Sequence, residues 1–465
     1  MASFEFAMEP QPTTPVKTRF RTVATAIPVP DSLPILARLD KVESRSMHGQ
    51  MPIVWDRAKD FQVFDRWGNC WIDFTSTIFV ANAGHARDEI LEAIRGTLDK
   101  ELLHTYSYAT EVRADFLDAL IAKTPANFEK AYLVSAGTEA TETMLKLVRL
   151  HAQANGKRRP GVISFDGSYH GRTVGAAQVS GNADQRAWMA FDDPNIFRLP
   201  FPYPWDAQGN TVNTSPEQMF DDHLTALSDA GIDLAQDIGG ILFESYLGWS
   251  AAFFPEKYVQ LWRDAADKHG FLITFDEIQS GFGRTGKLFA YERYGVVPDM
   301  IACGKGISSS LPLAAVLGRA DIMDLPDVGS MSSTHSANPA CCAAGLANLK
   351  AICDGGLVEE SARKGRLLHD RLNALRDRHP ARIRQIAGDG MVAALIFYDP
   401  NTGKPETHLP SIICERALRQ GLLLVHTGRE SIKIGPPLTI PDDALAEGLD
   451  VLEEIIEDVF KEDAQ

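Results

Sequence analysis

Between residues 271 and 305 two short apolar runs each deliver a polar side chain into a glycine-rich turn. The first, Phe271-Leu272-Ile273-Thr274-Phe275, closes on Asp276-Glu277 and continues as Ile278-Gln279-Ser280-Gly281-Phe282-Gly283-Arg284-Thr285-Gly286. The second, Met300-Ile301-Ala302-Cys303, closes on Gly304-Lys305-Gly306. Runs this short and this apolar read as strands buried on both faces. Similar runs stand at 131–134, 162–165, 314–318 and 240–243, the last ending at Glu244. Helical spacing fills 139–154 and 256–269, each stopped by a glycine, Gly156 and Gly270. Strands alternating with helices predict an α/β fold whose mainly parallel sheet is covered on both faces.

The flanking segments read differently. Residues 1–45 carry Pro10, Pro12, Pro15, Pro28, Pro30 and Pro34 and read as an irregular arm with one short helix near 36–39. Such an arm is either disordered or pinned on a partner subunit. Alternation over 53–74 around Asp65-Arg66-Trp67-Gly68-Asn69 predicts a β-hairpin, and 88–98 reads as an amphipathic helix. After Pro339 come a helix to about residue 353, a second at 357–378, strands within 383–397, a helix at 410–420, a strand at 422–425 and a last helix at 442–460. The expected division is an arm at 1–45, a piece of a small domain at 46–75, a large domain at 76–345 and a small α+β domain at 346–465.

The 465 residues carry 46 Lys plus Arg against 62 Asp plus Glu, a formal charge of −16. That balance argues against nucleic acid or an anionic membrane as a partner. No apolar run has the length of a membrane span. Six cysteines without a C-x-x-C pair, and no visible secretory signal, predict free thiols in a reducing cytoplasm. No metal-binding spacing is present.

A carboxylate and an amine delivered at neighbouring strand ends suit pyridoxal phosphate. The amine can form a Schiff base with the cofactor aldehyde, and the carboxylate can keep the pyridine nitrogen protonated. On spacing alone the same residues also fit a capping aspartate and a solvated loop lysine. The wording is more specific. Asp276 to Gly286, followed by Gly304-Lys305-Gly306, resembles the class III aminotransferases, fold-type I pyridoxal phosphate enzymes that act on 4-aminobutyrate, ornithine and other omega-amines. The resemblance runs from about residue 63 to about residue 437.

That resemblance implies a seven-stranded large domain and a set of site residues. Lys305 would carry the internal aldimine and then move the proton between substrate and cofactor carbons, which requires a lowered pKa. Asp276 would pair with the pyridinium nitrogen and Gln279 with the ring hydroxyl. Tyr169, in Ser168-Tyr169-His170-Gly171-Arg172-Thr173, would stack on the ring with Ile278 on the opposite face. His170 reads as a structural polar residue. Ala136, Gly137 and Thr138, between a strand and a helix, would cradle the phosphate. Glu244 is kept from the family's pattern as a further cofactor-site residue. Thr334, in Ser333-Thr334-His335-Ser336-Ala337-Asn338-Pro339, would reach the phosphate of a partner subunit, which implies a homodimer or a higher oligomer with shared sites.

Two departures bear on the substrate. The family's glutamate that shields an arginine is Trp249 here, and that arginine is Lys433 in Ile432-Lys433-Ile434-Gly435-Pro436-Pro437-Leu438. Arg429 is a nearby candidate for carboxylate binding, since a forked guanidinium suits a carboxylate. Phe79 and Val80, in Ser76-Thr77-Ile78-Phe79-Val80, join Trp249 in an expected apolar wall. The expected activity is ping-pong transfer of an amino group from a primary amine or omega-amino acid to a 2-oxo acid. The rival readings are a racemase, epimerase or aminomutase on the same cofactor, and an inactive binding protein on the same fold.

Overall fold

The computed structural model describes residues 4–463. The chain forms two units. One takes residues 88–206 and 211–359, and the other takes 1–87, 207–210 and 360–465. These limits differ from the expected ones at residues 75 and 345. The helix Pro339–Cys353 packs chiefly on the helices Asp88–Asp99 and Glu111–Ile121, and its Asn348 donates to Gly306 O and Ile307 O, so it stays with the first of these units.

The unit at 88–359 is built on seven strands: β1 Lys130–Val134, β2 Gly161–Phe165, β3 Ile196–Leu199, β4 Ile238–Glu244, β5 Leu272–Asp276, β6 Met300–Cys303 and β7 Ala314–Gly318. Their order is β1-β7-β6-β5-β4-β2-β3. β7 runs antiparallel to both of its neighbours, and the remaining pairs are parallel. The sequence reading missed β3, a short edge strand interrupted by Arg198. It also missed the polar helix Pro216–Asp229.

Both faces of the sheet are buried because successive side chains alternate. Leu272, Leu242, Val162, Met300 and Val316 meet Met144, Leu147 and Val148 of the helix Gly137–Ala154. On the other face Phe165, Phe243 and Phe275 stack in a row across β2, β4 and β5, with centroids 5.3 and 5.1 Å apart. Gly240 lets that helix sit close, since a Cβ there would lie 2.9 Å from Val148.

In the other unit the arm is pinned on its own chain. Val16–Lys17 and Thr22–Val23 pair with each other, and Thr22 pairs with Cys70 of the strand Cys70–Asp73. Val23, Ile27 and Val29 pack with Val63, Trp71, Leu418 and Leu423. Arg21 Nε donates to Glu447 Oε1 at 2.8 Å. The expected hairpin forms between Gln62–Phe64 and Cys70–Asp73, with Asp65 Oδ1 accepting from Trp67 N and Asn69 N. Leu422–Leu423 pairs parallel to Cys70–Asp73. A four-stranded antiparallel sheet, Ile383–Asp389, Val392–Phe397, Ser431–Ile434 and Val425–His426, completes the unit's sheets.

After Asp73 the chain makes one left-handed turn. Ser76, Thr77, Ile78 and Phe79 have φ of 46, 51, 60 and 67°. Left-handed helix costs a non-glycine residue about 1–2 kcal/mol, so something must hold it. Phe79 N donates to Thr75 O, and Val80 N to Ser76 O. Asp73 accepts from Thr75 N, Thr75 Oγ1 and His85 Nε2 at 2.6–2.7 Å. Ser76 Oγ donates to Gly435 O at 2.6 Å.

Candidate functional site

Three adjacent strands of the large unit end at one level, where parallel α/β sheets bind ligands. Asp276, ending β5, is in register with Glu244, ending β4, and with Ala302 of β6. Two residues after β6 comes Lys305, half-buried and with φ of 43°, a left-handed conformation unusual for lysine. Burial lowers its pKa below the ordinary lysine value, against the opposing pull of Asp276 and Glu244. The amine and both carboxylates of the sequence reading therefore share one end of the sheet.

Asp276 is almost wholly buried and held at both oxygens. Oδ1 accepts from Ile278 N at 2.9 Å, and Oδ2 accepts from His170 Nδ1 at 2.8 Å. Its neighbour Glu277 turns the other way. That carboxylate accepts from Ser245 Oγ, Ser280 Oγ, Ala290 N and Tyr291 N at 2.6–2.9 Å. Burial raises its pKa to about 7 in spite of these donors. Glu277 thus anchors the loop after β5, and Asp276 is the carboxylate left at the site.

Glu244 braces two segments. Oε2 accepts from Tyr169 N at 3.0 Å, and Oε1 accepts from Gly248 N at 2.9 Å. Tyr169 has 41% of its surface exposed, and its hydroxyl accepts from Arg172 Nε at 3.3 Å. Gln279 is half-buried; a Cβ on Gly248 would come within 3.2 Å of its Nε2.

The helix Gly137–Ala154 points its N-terminus at this level. Glu139 Oε2 accepts from Ser135 N and Ala136 N, at 2.8 and 3.2 Å. The N–H groups of Gly137 and Thr138, in the first turn, have no carbonyl partner within the helix. Thr138 Oγ1 lies 2.8 Å from Thr173 Oγ1, and Thr173 Oγ1 donates to Glu142 Oε1. Glycines make the space. A Cβ on Gly137 would lie 2.9 Å from Ile278, one on Gly304 3.1 Å from Ile278, and one on Gly171 2.3 Å from Thr138. A close-packed apolar side chain, an anion-seeking helix end, a buried carboxylate and a half-buried lysine fit a flat, protonated, phosphorylated pyridine aldehyde.

Thr334 lies on an exposed loop, its carbonyl 2.9 Å from His104 Nε2. Asn338, which caps the following helix through Ala340 N and Cys341 N, ties the loop down by donating to Leu103 O at 2.7 Å.

The residues expected to meet the substrate fall in both units. Trp249 is half-buried in one, 6.4 Å between centroids from Tyr203. In the other, Phe79 and Lys433 come together. The Lys433 ammonium sits 4.2 Å from the centroid of the Phe79 ring, and both residues are 1% exposed. Phe79 is also wedged on Gly435, where a Cβ would lie 1.9 Å from its ring. Val80 is half-buried at the end of the left-handed turn. The Arg429 side chain is 40% exposed, with Nε 3.5 Å from Glu430 Oε2. The sequence reading missed Glu139, Glu142 and the bond from His170 to Asp276. The first could have been found, since Glu139 stands three residues after the N-cap position, where such a side chain reaches back.

The sequence model described as aminotransferase class-III matches residues 44–456. A 4-aminobutyrate aminotransferase of Mycobacterium leprae is 32% identical over 94% of this chain and 98% of its own length. A 5-aminovalerate aminotransferase of Pseudomonas aeruginosa is 33% identical over 91% and 98%. Among solved structures, an S-selective transaminase from Bacillus megaterium superposes with a TM-score of 0.80 at 25% identity, covering 91% of this chain and 97% of that one. Among the described residues no single helix is long and apolar enough to cross a membrane. On its sequence, its sheet order and the residues at its strand ends, the chain belongs to the class III aminotransferases and is a fold-type I, pyridoxal phosphate-dependent transaminase.

Proposed function

We propose that the chain moves an amino group from a primary amine or omega-amino acid to a 2-oxo acid in two half-reactions at the site around Lys305. The convergence of Lys305, Asp276 and Glu244 on neighbouring strand ends carries this reading. When bound, pyridoxal phosphate supplies the aldehyde that takes up the amino group and the ring that accommodates the electron pair left by proton removal. The chain's residues do the rest. Lys305 holds the cofactor and, with its pKa lowered by burial, takes and returns the proton. Asp276 keeps a proton on the ring nitrogen. Tyr169 and Ile278 cover the two ring faces, Gln279 binds the ring hydroxyl, and Ala136, Gly137 and Thr138 bind the phosphate. Glu244 steadies the Tyr169 backbone. Thr334, on its exposed loop, serves the phosphate of a second copy, in a homodimer with shared sites. Six unpaired cysteines fit a reducing cytoplasm.

Relatives named for 4-aminobutyrate and 5-aminovalerate make omega-amino acids the first donors to try. Trp249 and Lys433 change the acceptor side. An ammonium held over an aromatic ring is a point charge without the fork that grips a carboxylate. The reading is therefore that amines with an uncharged body are accepted and that 2-oxoglutarate is no better an acceptor than pyruvate, unless Arg429 binds it.

The test is spectral. Mixed with a donor alone, the holoenzyme should convert to its amine form, losing the visible band, and a 2-oxo acid should restore it. A racemase, epimerase or aminomutase would turn over without accumulating that form, and a binding protein would do neither. Lys305→Ala should abolish the conversion. Asp276→Asn should slow it by several orders of magnitude, about 4 kcal/mol or more of barrier. For the acceptor, Arg429→Ala and Lys433→Ala are compared with pyruvate and 2-oxoglutarate. A selective loss of 2-oxoglutarate in Lys433→Ala alone would make Lys433 the working carboxylate ligand.

A further inference from the structure

We propose that Glu142 is a positioning residue of the phosphate cradle: its carboxylate clamps the segment that carries Tyr169 onto the first turn of the helix Gly137–Ala154. The inference rests on the reading, given above, that this helix end binds the cofactor phosphate. Glu142 stands half-buried in the second turn of the helix. Its Oε1 accepts from three donors of one short stretch: Thr173 Oγ1, Gly175 N at 2.8 Å and Ala176 N at 3.1 Å.

Two hydroxyls extend the clamp to the helix end. A carboxylate only accepts, so the single hydrogen of Thr173 Oγ1 goes to Glu142. The 2.8 Å contact between Thr138 Oγ1 and Thr173 Oγ1 is then a donation from Thr138. Thr173 N donates back to Thr138 Oγ1 at 3.4 Å. The hydrogens thus run in one direction, from the first turn of the helix through Thr173 to Glu142.

The two segments also meet with no room to spare. A Cβ on Gly171 would lie 2.3 Å from Thr138 Oγ1, and one on Gly175 would lie 2.2 Å from Glu142 Oε2. Glu244 holds the Tyr169 end of the segment through Tyr169 N. Glu142 holds its other end, at residues 173–176, against the helix.

Charge and geometry predict opposite signs for this residue. A negative side chain near a bound phosphate repels it, so on charge alone its removal would tighten binding. Removal of the clamp instead frees the stretch 171–176 and loosens the cradle, so binding would weaken.

The test measures dissociation constants of the full-length protein, stripped of cofactor, for pyridoxal phosphate and for pyridoxal, which lacks the phosphate. Changes in their ratio between variants report the phosphate contact. Glu142→Ala should reduce the preference for pyridoxal phosphate roughly tenfold or more, the scale of a hydrogen bond to a charged group. Glu142→Gln, whose amide oxygen can accept the same three bonds, should keep at least most of it. An unchanged or increased preference in Glu142→Ala, or a Glu142→Gln that falls as far as Glu142→Ala, would overturn the proposal. The wild type separates the two levels of argument. If it shows no preference for the phosphorylated compound, the reading of the helix end fails and the proposal with it; if it shows one that Glu142→Ala keeps, only the role of Glu142 fails. Should Glu142→Ala not fold, hydrogen exchange of the wild type decides. Linkage is reciprocal, so pyridoxal phosphate should slow exchange at Gly175 N and Ala176 N more than pyridoxal does, and equal protection by the two would overturn the proposal.

Discussion

At the scale of single residues the site is a set of titratable groups whose burial has consequences outside catalysis. Lys305 has a folded pKa below its unfolded value. Between that lowered value and the ordinary lysine value of about 10.4, the unfolded chain binds more protons, so stability rises with pH. In cofactor-free protein, Lys305→Met should therefore be more stable than the wild type near neutral pH, with the gap closing as pH approaches the ordinary value. Urea denaturation at several pH values checks this, and a gap that widens with pH would contradict it. Glu277 has the opposite sign. Its pKa rises from an ordinary value of about 4.3 to about 7 in the fold. Across that window the folded protein holds the extra proton, so stability falls as pH rises. Glu277→Gln should flatten that part of the Tm–pH profile.

Residues of this kind were unequally legible. The place of Lys305 and Asp276 at the ends of apolar runs could be read from spacing, while the roles given to them came from the family resemblance. His170 could not, because a lone histidine in a loop carries no mark of what it touches 106 positions away. Glu277 stands beside Asp276 in the sequence, and only its four donors show that it faces the protein.

At the scale of elements, long periodic segments were readable and short special ones were not. The helix Gly137–Ala154 and the strands β4, β5 and β6 follow from apolar spacing. The left-handed turn at 76–79 does not, because Thr77 and Ile78 are β-branched and disfavour positive φ. It exists because distant groups hold it, Ser76 through the Gly435 carbonyl and Phe79 through the space above Gly435. Gly435→Ala should displace the Phe79 ring and cost about 1–3 kcal/mol, the usual range for overpacking. Chemical denaturation would show the loss. Gly435→Ala,Phe79→Leu should recover part of it; failure to do so would mean that the clash is not with Phe79.

At the scale of the whole molecule, the two units differ in how the chain supplies them. The unit at 88–359 comes almost entirely from one continuous stretch, and all of its sheet but the edge strand β3 was legible for that reason. The other is made from both ends of the chain, and a reading that moves along the sequence cannot see that Leu422–Leu423 pairs with Cys70–Asp73. Ile72 N donates to Gly421 O and Phe74 N to Leu423 O. Deleting residues 420–465 should therefore remove hydrogen-exchange protection at Ile72 and Phe74 and leave the amides of β4 and β5 slow. Equal loss in both places would mean that the units do not fold separately.

The left-handed turn and the strand before it also set a timetable. Residues 57–80 leave the ribosome early, while Gly421, Leu423 and Gly435, which receive their hydrogen bonds, are made near the end. At about 5–20 residues per second, the early segment waits on the order of tens of seconds with Phe61, Val63, Trp71 and Ile72, all buried in the finished fold, still uncovered. Such a segment is a ready client for chaperones during synthesis, and slower translation of the middle of the gene prolongs its exposure.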